Sequence, residues 1–164
     1  MRILYLIRHA KSSWEHPGLR DFDRPLNERG HRDAPQMARF LKKNGVQPDL
    51  IVSSPAKRAL TTARYFAEVF GIPETSIIQE ANIYEASTHD ILDIIRQLPD
   101  NIEVAFLFGH NPTFTDVANH FSEEYIDNIP TCGIARLESK AAHWTDVAPT
   151  NTRLNQCYFP KDVL

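Results

Sequence analysis

The sequence predicts an α/β fold, a three-layer sandwich in which a mostly parallel central sheet is flanked by helices. Two observations support this prediction. Apolar runs of strand length recur at residues 3–7, 50–52 and 104–108, and such uninterrupted runs are typical of strands buried on both faces. Segments with helical periodicity separate these runs, and strands that alternate with helices indicate parallel pairing through crossover connections.

The first helix is predicted from the stretch that follows the opening strand. Residues 16–25 are rich in turn-forming and charged residues and predict a loop. Asn27 is placed to cap the helix, and Asn44-Gly45 is placed to end it. Between these limits, apolar side chains recur at the spacing that forms one face of a helix, namely Ala34, Met37, Ala38 and Leu41.

The second helix is predicted to follow the strand at 50–52. Ser54 is the expected cap, and Pro55 suits the first helical position because proline has no N–H to leave unpaired there. Gly71 marks the expected end of this helix. The segment 74–86 that follows it shows no regular periodicity.

The rest of the chain continues the alternation of strands and helices. A helix capped by Ser87 or Thr88 precedes the strand at 104–108, and a helix at 113–121 follows that strand. Strand patterns then return, and we expect further strands, antiparallel edge strands among them, at 131–138, around Trp144 and at 153–159.

Composition restricts the class of protein. The 164 residues suit a single domain spanning 1–164 with a substantial core. The net charge of −3 and the pI of about 6.1 give no indication of binding to nucleic acid or to a membrane. No apolar run approaches the roughly 18 residues of a membrane span, and no signal-peptide pattern opens the chain, so we expect a cytoplasmic protein. Cys132 and Cys157 lack metal-ligand spacing and are expected to be reduced, in or near the core.

Three of the predicted strands end in polar residues. Arg8-His9 follows the first strand, Ser53-Ser54 ends the second with Arg58 about one helical turn later, and Gly109-His110 ends the third. Parallel neighbours would bring these ends to one edge of the sheet, which is where ligands bind in open α/β folds. Two guanidinium groups, two imidazoles and a helix N-terminus would then surround one small volume, and this predicts a phosphate site.

This set of residues predicts phosphoryl transfer. Arg8 and Arg58 can each hold phosphoryl oxygens with two N–H donors and can neutralise charge on the transferred group. His9 is the predicted nucleophile, and His110 is the predicted donor to the phosphoryl oxygens. We expect no metal and no cofactor, because no carboxylate cluster has metal-ligand spacing. The other histidines match no such pattern and are expected at the surface, namely His16, His31, His89, His120 and His143.

Four stretches of the chain resemble the histidine phosphatase superfamily, also called the phosphoglycerate mutase-like superfamily. They occur in the order typical of the family, at residues 6–12, 23–30, 53–63 and 109–112. The family's Arg-His-Gly opening appears here as Arg8-His9-Ala10. In having alanine at this position and a short chain, the sequence resembles the SixA-type phosphohistidine phosphatase branch. The resemblance implies the phosphoglycerate mutase-like fold and phosphatase activity.

The resemblance also implies roles for particular residues. His9 would be the phosphorylated nucleophile, and the phosphate pocket would be completed by Arg8, Arg58 and His110. Ser12 falls where the family often has a polar residue near the phosphate.

Related phosphatases carry a general acid in the segment after the second helix, where Glu80 and Glu85 are the candidates in this chain. A phosphohistidine substrate would depend less on such an acid, because imidazole is a better leaving group than an alkoxide.

Three functions remain open from the sequence. The first is a metal-independent phosphatase that acts on phosphohistidine in a protein, such as a phosphorelay domain, through a covalent phosphohistidine on His9. The second is a small-molecule phosphomonoesterase with the same nucleophile, and the third is a non-catalytic phosphate-binding adaptor. A mutase fits less well, because the chain is short for enclosing a doubly phosphorylated intermediate. The expected partner is a phosphoprotein or a small phosphorylated compound.

Overall fold

A six-stranded sheet forms the centre of the computed structural model, which describes residues 1–164. In space the strands follow the order β3-β2-β4-β1-β5-β6. The pairs β3–β2, β2–β4 and β4–β1 are parallel, and β5 is antiparallel to both of its neighbours. The strands are β1 (Arg2–Arg8), β2 (Leu50–Ser53), β3 (Ile78–Gln79), β4 (Val104–Gly109), β5 (Ile134–Ser139) and β6 (Thr152–Tyr158).

Helices cover both faces of this sheet, so the predicted three-layer α/β sandwich is confirmed. Because side chains alternate along a strand, Leu4 and Leu6 of β1 pack into one core with the helices at 88–96 and 113–120. Tyr5 and Ile7 pack into a second core with the helices at 28–43 and 57–70. No helix is long and apolar enough to cross a membrane. The helices are α1 (Glu28–Lys43), α2 (Lys57–Phe70), α3 (Thr88–Arg96), α4 (Thr113–His120) and α5 (Pro160–Val163).

Several local predictions are confirmed by the helix ends. Asn27 caps α1, where its Oδ1 accepts the Gly30 N–H at 2.9 Å. Ser87 caps α3 in a reciprocal capping box with Asp90. Gly71 ends α2 in the left-handed conformation, with a φ of 69°, which a residue without Cβ adopts at little cost.

Three local predictions are wrong. Ser54 does not cap α2 and Pro55 does not occupy its first position, because the helix begins only at Lys57 and Ala56 is the residue that precedes it. The Ser54 Oγ instead accepts the Ala56 N–H at 3.2 Å. Trp144 lies in a single 3₁₀ turn and not in a strand. Its indole Nε1 donates to the Ile102 carbonyl at 2.8 Å, and this buried anchor fixes the chain outside the sheet.

The sheet register brings the expected strand ends together. Arg8 of β1 lies beside Gly109 of β4, and Ser53 of β2 lies beside Phe108 of β4. Since these three strands are parallel, their carboxyl ends open onto the same edge of the sheet. The residues that follow them therefore share one small region of the molecule.

Candidate active site

His9 lies directly after β1 and is only 6% exposed. Its N–H donates to the Gly109 carbonyl at 3.0 Å, which ties its backbone to the end of β4. The ring Nδ1 lies 2.7 Å from the Ala10 carbonyl oxygen. A carbonyl can only accept a hydrogen bond, so Nδ1 carries the proton and Nε2 keeps its lone pair. The ring is thus arranged as a nucleophile.

The protonation state of His9 agrees with this arrangement. Burial lowers the pKa of His9 to about 3, and the nearby charges of Arg58 and Arg8 act in the same direction against the hydrogen bond to Ala10. The ring is therefore neutral at physiological pH, and Nε2 is available for attack without prior loss of a proton.

His110 follows β4 and faces His9, with the two ring centroids 5.4 Å apart. Its Nε2 lies 2.8 Å from Ser54 Oγ. Burial lowers the pKa of His110 to about 4, and the charge of Arg58 adds to this shift. Both imidazoles are consequently neutral near pH 7, and each offers one N–H and one lone pair.

Two arginines complete the group. Arg58, in the first turn of α2, is 6% exposed and donates to the Asp21 carbonyl at 2.7 Å and to the Asp21 carboxylate at 2.9 Å. Arg8 donates to the Ile129 carbonyl at 2.9 Å. Burial, together with the charge of Arg58, lowers the pKa of Arg8. The Arg8 side chain forms no ion pair with a carboxylate, so part of its charge is unmatched.

These residues carry most of the unsatisfied buried nitrogens of the molecule. Four buried side-chain atoms have no hydrogen-bond partner, and three of them are Arg8 Nε, Arg58 Nε and His110 Nδ1. Buried polar groups are almost always paired, and leaving one unpaired costs roughly 1–3 kcal/mol. A concentration of such groups around His9, the predicted nucleophile, indicates a site for an anion with several acceptor oxygens.

Asp21 is a contact residue that the sequence analysis did not identify. Its carboxylate accepts from Arg58, from the Tyr84 hydroxyl at 2.7 Å and from Arg24 Nε at 3.1 Å. Burial alone would raise the pKa of Asp21, but the hydrogen bonds from Tyr84, Arg58 and Arg24 outweigh it and lower the pKa to about 2. Asp21 is therefore a permanent carboxylate at the rim of the site.

Thr62 connects the two sides of the site from within α2. Its Oγ1 accepts the Ala10 N–H at 3.0 Å and donates to the Arg58 carbonyl at 2.8 Å. The side chain is fully buried. The residue whose carbonyl orients His9 is thus fastened to the turn that carries Arg58. Only the position of Thr62 one helical turn after Arg58 hints at this role in the sequence.

Of the remaining expected residues, Ser12 reaches this network only through Arg24, whereas Glu80 and Glu85 form no hydrogen bond to it. Ser12 is buried, and its Oγ accepts from Arg24 Nη1 at 2.8 Å. Glu80 caps a 3₁₀ turn, where Oε1 accepts the Asn82 N–H at 3.3 Å. Glu85 is exposed and has a φ of 58°, a left-handed conformation that is uncommon for a residue with a side chain. No group of three or more His, Cys, Asp or Glu side chains is placed to hold a metal ion.

Comparison with known proteins identifies a family that covers most of the chain. A sequence model of the histidine phosphatase superfamily, branch 1, covers residues 4–123. An uncharacterised protein of Mycobacterium tuberculosis is 32% identical over 167 residues, which span 94% of this chain and 100% of that protein.

Two solved structures share the fold across their full length. A protein of Agrobacterium tumefaciens, assigned to the phosphohistidine phosphatase SixA type, has a TM-score of 0.80 and 31% identity, with 96% of this chain and 97% of that chain covered. A protein histidine phosphatase SixA in complex with tungstate has a TM-score of 0.83 and 17% identity, with 99% of each chain covered.

The family model and the relatives identify a phosphatase, and the cluster of imidazole and guanidinium groups is its candidate site. The chain belongs to the histidine phosphatase superfamily. Within that superfamily it is of the SixA type, as the Agrobacterium tumefaciens relative at 31% identity shows.

Proposed function

We propose that this phosphatase removes the phosphoryl group from phosphohistidine in a protein, through a covalent phosphohistidine intermediate on His9. The observation that carries the proposal is that the site holds both a ring nitrogen with a free lone pair and several N–H donors without acceptors. His9 Nε2 is left free by the bond from Nδ1 to Ala10. Arg8 Nε, Arg58 Nε and His110 Nδ1 are buried without partners, and a phosphoryl group offers the oxygens that they lack.

The reaction follows from these positions. The Nε2 lone pair of His9 attacks phosphorus in line with the P–N bond to the substrate imidazole, and that bond breaks as the new one forms. The two arginines balance the charge on the phosphoryl oxygens. Phosphorylated His9 becomes an imidazolium, whose Nδ1–H still donates to Ala10. Water then attacks phosphorus, inorganic phosphate leaves, and Nε2 regains its lone pair.

A phosphohistidine substrate suits a site in which His9, His110 and Asp21 are not protonated acids near pH 7. His9 and His110 are both neutral near pH 7, since burial lowers the pKa values to about 3 and about 4. Asp21 is ionised, since its pKa is lowered to about 2. A phosphoimidazole protonated on its distal nitrogen leaves as neutral imidazole and needs no donor from the enzyme, whereas an alkoxide does.

A protein substrate is supported by the surface beside the site. Trp14 is 73% exposed, although large apolar side chains are usually buried. Its ring is held by Arg24, whose Cζ lies 3.6 Å from the ring centroid. Arg24 also bonds Ser12 and Asp21, so the exposed indole stacks on a residue that contacts the rim of the site. Such an aromatic suits contact with the surface of a phosphohistidine-containing domain.

The proposal is tested by trapping the intermediate. A phosphohistidine-containing domain labelled in its phosphoryl group is mixed with the enzyme and quenched at alkaline pH, because phosphohistidine is acid-labile. We expect label on His9, and we expect phosphate release to be lost in His9→Ala. His16→Ala is the matched control, since His16 is exposed in the loop after β1. Label elsewhere, or full activity of His9→Ala, would overturn the mechanism.

The other candidate functions give different results in the same assay. A small-molecule phosphomonoesterase would turn over a sugar phosphate faster than phosphoramidate or the phosphohistidine domain. An adaptor would bind inorganic phosphate and release none from any phospho-compound. Activity that persists after treatment with a metal chelator is expected, because the proposed steps use only side chains and water.

A further inference from the structure

The contact between Ser54 and His110 indicates which nitrogen of the His110 ring carries the proton. Ser54 Oγ is 2.8 Å from His110 Nε2, and it also accepts the Ala56 N–H at 3.2 Å. The side chain is fully buried, so solvent does not reach it. The other ring nitrogen of His110, Nδ1, is buried and has no partner.

Two proton arrangements can be compared. If Nε2–H donated to Ser54 Oγ, the serine hydroxyl hydrogen would have no acceptor, and the lone pair of Nδ1 would have no donor. If the serine hydroxyl donates to Nε2, then every group in the contact is satisfied and only Nδ1–H is left over. Because each unsatisfied buried group is costly, the second arrangement is the more stable one.

We propose that Ser54 is a positioning residue whose hydroxyl fixes His110 as the Nδ1–H tautomer and thereby reserves that N–H for an oxygen of the bound phosphoryl group. The identity of the acceptor rests on the proposed function. Both histidines then carry the proton on Nδ1, but they present different nitrogens to the phosphoryl group. His9 ties down Nδ1–H and presents the Nε2 lone pair, whereas His110 ties down Nε2 and presents Nδ1–H.

The neutral state of His110 makes this choice of tautomer consequential. Burial keeps the pKa of His110 at about 4, so near pH 7 the ring has a single N–H to offer. With the proton on Nε2, the ring would turn a lone pair towards the phosphoryl oxygens and would repel them. A hydroxyl that selects the tautomer therefore determines whether this imidazole helps or hinders the transfer.

The tautomer is measured directly by nitrogen NMR on the full chain labelled with ¹⁵N-histidine near pH 7. In the wild-type protein we expect a pyrrole-like Nδ1 and a pyridine-like Nε2 for His110, and a further shift of Nδ1 when inorganic phosphate is added. Ser54→Ala should show a redistribution towards protonated Nε2 and about a tenfold fall in kcat on phosphoramidate, equivalent to one lost hydrogen bond. Ser54→Thr keeps the hydroxyl and should restore both properties.

Ser53→Ala is the matched control for the spectrum. Ser53 is equally buried, but its hydroxyl donates to the Ser54 carbonyl at 2.9 Å and contacts no histidine. Its removal should leave the His110 nitrogens as in the wild type.

Two results would overturn the proposal: protonated Nε2 in the wild-type spectrum, or a Ser54→Ala variant with unchanged His110 nitrogens or unchanged kcat. The wild-type spectrum decides the tautomer even if Ser54→Ala does not fold. The spectrum reports the tautomer without any turnover. Failure of the proposed function would instead appear as full activity in His9→Ala, so the two failures can be distinguished.

Discussion

Asp21 and Arg58 form an ion pair at the rim of the site, with 2.9 Å between Asp21 Oδ2 and Arg58 Nη2. The Asp21 carbonyl accepts from Arg58 Nη1 as well, at 2.7 Å. One residue thus holds both terminal nitrogens of the guanidinium, while Nε stays unpaired. The orientation of Arg58 is therefore set from the loop before α1.

Asp21→Asn should lower kcat/KM by about tenfold. The substitution weakens a hydrogen bond to a charged group, worth about 1.5–3 kcal/mol. It also removes a negative charge near the phosphate, but that carboxylate is half-exposed and its screened effect is roughly 1 kcal/mol or less. Loss of orientation should therefore dominate. Steady-state kinetics on phosphoramidate measure the change. Asp23→Asn, whose carboxylate contacts only exposed Arg20, should behave as wild type, and an equal loss in both variants would contradict this role.

Thr62→Val should impair both stability and activity. Valine has nearly the same shape but removes the oxygen that accepts the Ala10 N–H and donates to the Arg58 carbonyl. The buried Ala10 N–H would be left unsatisfied, at about 1–3 kcal/mol in the free energy of unfolding. His9 would also lose a fixed partner, so kcat should fall. Urea unfolding and turnover measure the two effects.

Thr61 provides the control for that experiment. Its Oγ1 makes the same kind of bond, to the Lys57 carbonyl one turn earlier, but it does not contact the loop after β1. Thr61→Val should therefore leave turnover unchanged, and Thr62→Ser should recover most of the wild-type behaviour. If the two valine variants were indistinguishable, the connection through Thr62 would have no functional weight.

Stability should fall steeply in mild acid because of the two site histidines. In the folded protein the pKa values are lowered to about 3 for His9 and about 4 for His110, against about 6.5 in an unfolded chain. The unfolded chain therefore binds more protons below pH 6.5. The stabilisation from the neutral rings is complete above that pH and is lost as the pH falls towards 4.

At pH 5 the loss should be about 2 kcal/mol for each histidine relative to pH 7.5. Urea denaturation at a series of pH values measures it. His9→Asn has no ring to titrate, so its free energy of unfolding should depend less steeply on pH. Parallel curves for the variant and the wild-type protein would show that His9 is not the source of the acid sensitivity.

Gly30→Ala should destabilise the protein by about 2 kcal/mol. A Cβ at this position would lie 2.2 Å from the Lys11 carbonyl oxygen, which is backbone and cannot rotate away. The overlap should outweigh the gain of about 1 kcal/mol that alanine brings to a helix. Thermal and urea unfolding measure the net effect. Gly18→Ala meets nothing within 4 Å and should be neutral or slightly stabilising.

The sequence was most informative where burial and strand length left few alternatives. β1, β2 and β4 are buried and apolar, and their ends position Arg8, His9 and His110. These positions can be predicted without information on long-range contacts. β3 was missed because it has only two residues, both exposed. A strand this short leaves no periodic pattern, and it forms only because β2 offers a free edge.

The contacts that refine the site could not be predicted in this way. Asp21 meets Arg58 across 37 residues, Thr62 meets Ala10 across 52, and Ser54 meets His110 across 56. Each depends on how loops close after the sheet has formed, and none follows from local periodicity. For the same reason the turn at Ser54 was mistaken for a cap, since a serine followed by proline suits either structure.

The central place of β1 has a consequence for how the molecule comes into being. Both of its neighbours in the sheet, β4 and β5, are made long after it during synthesis. This buried, apolar strand must therefore stay unpartnered until most of the polypeptide has left the ribosome, a topology that slows folding and invites association with other chains. The site must then assemble in a single late step, when β4 pairs with β1 and brings His110 next to His9.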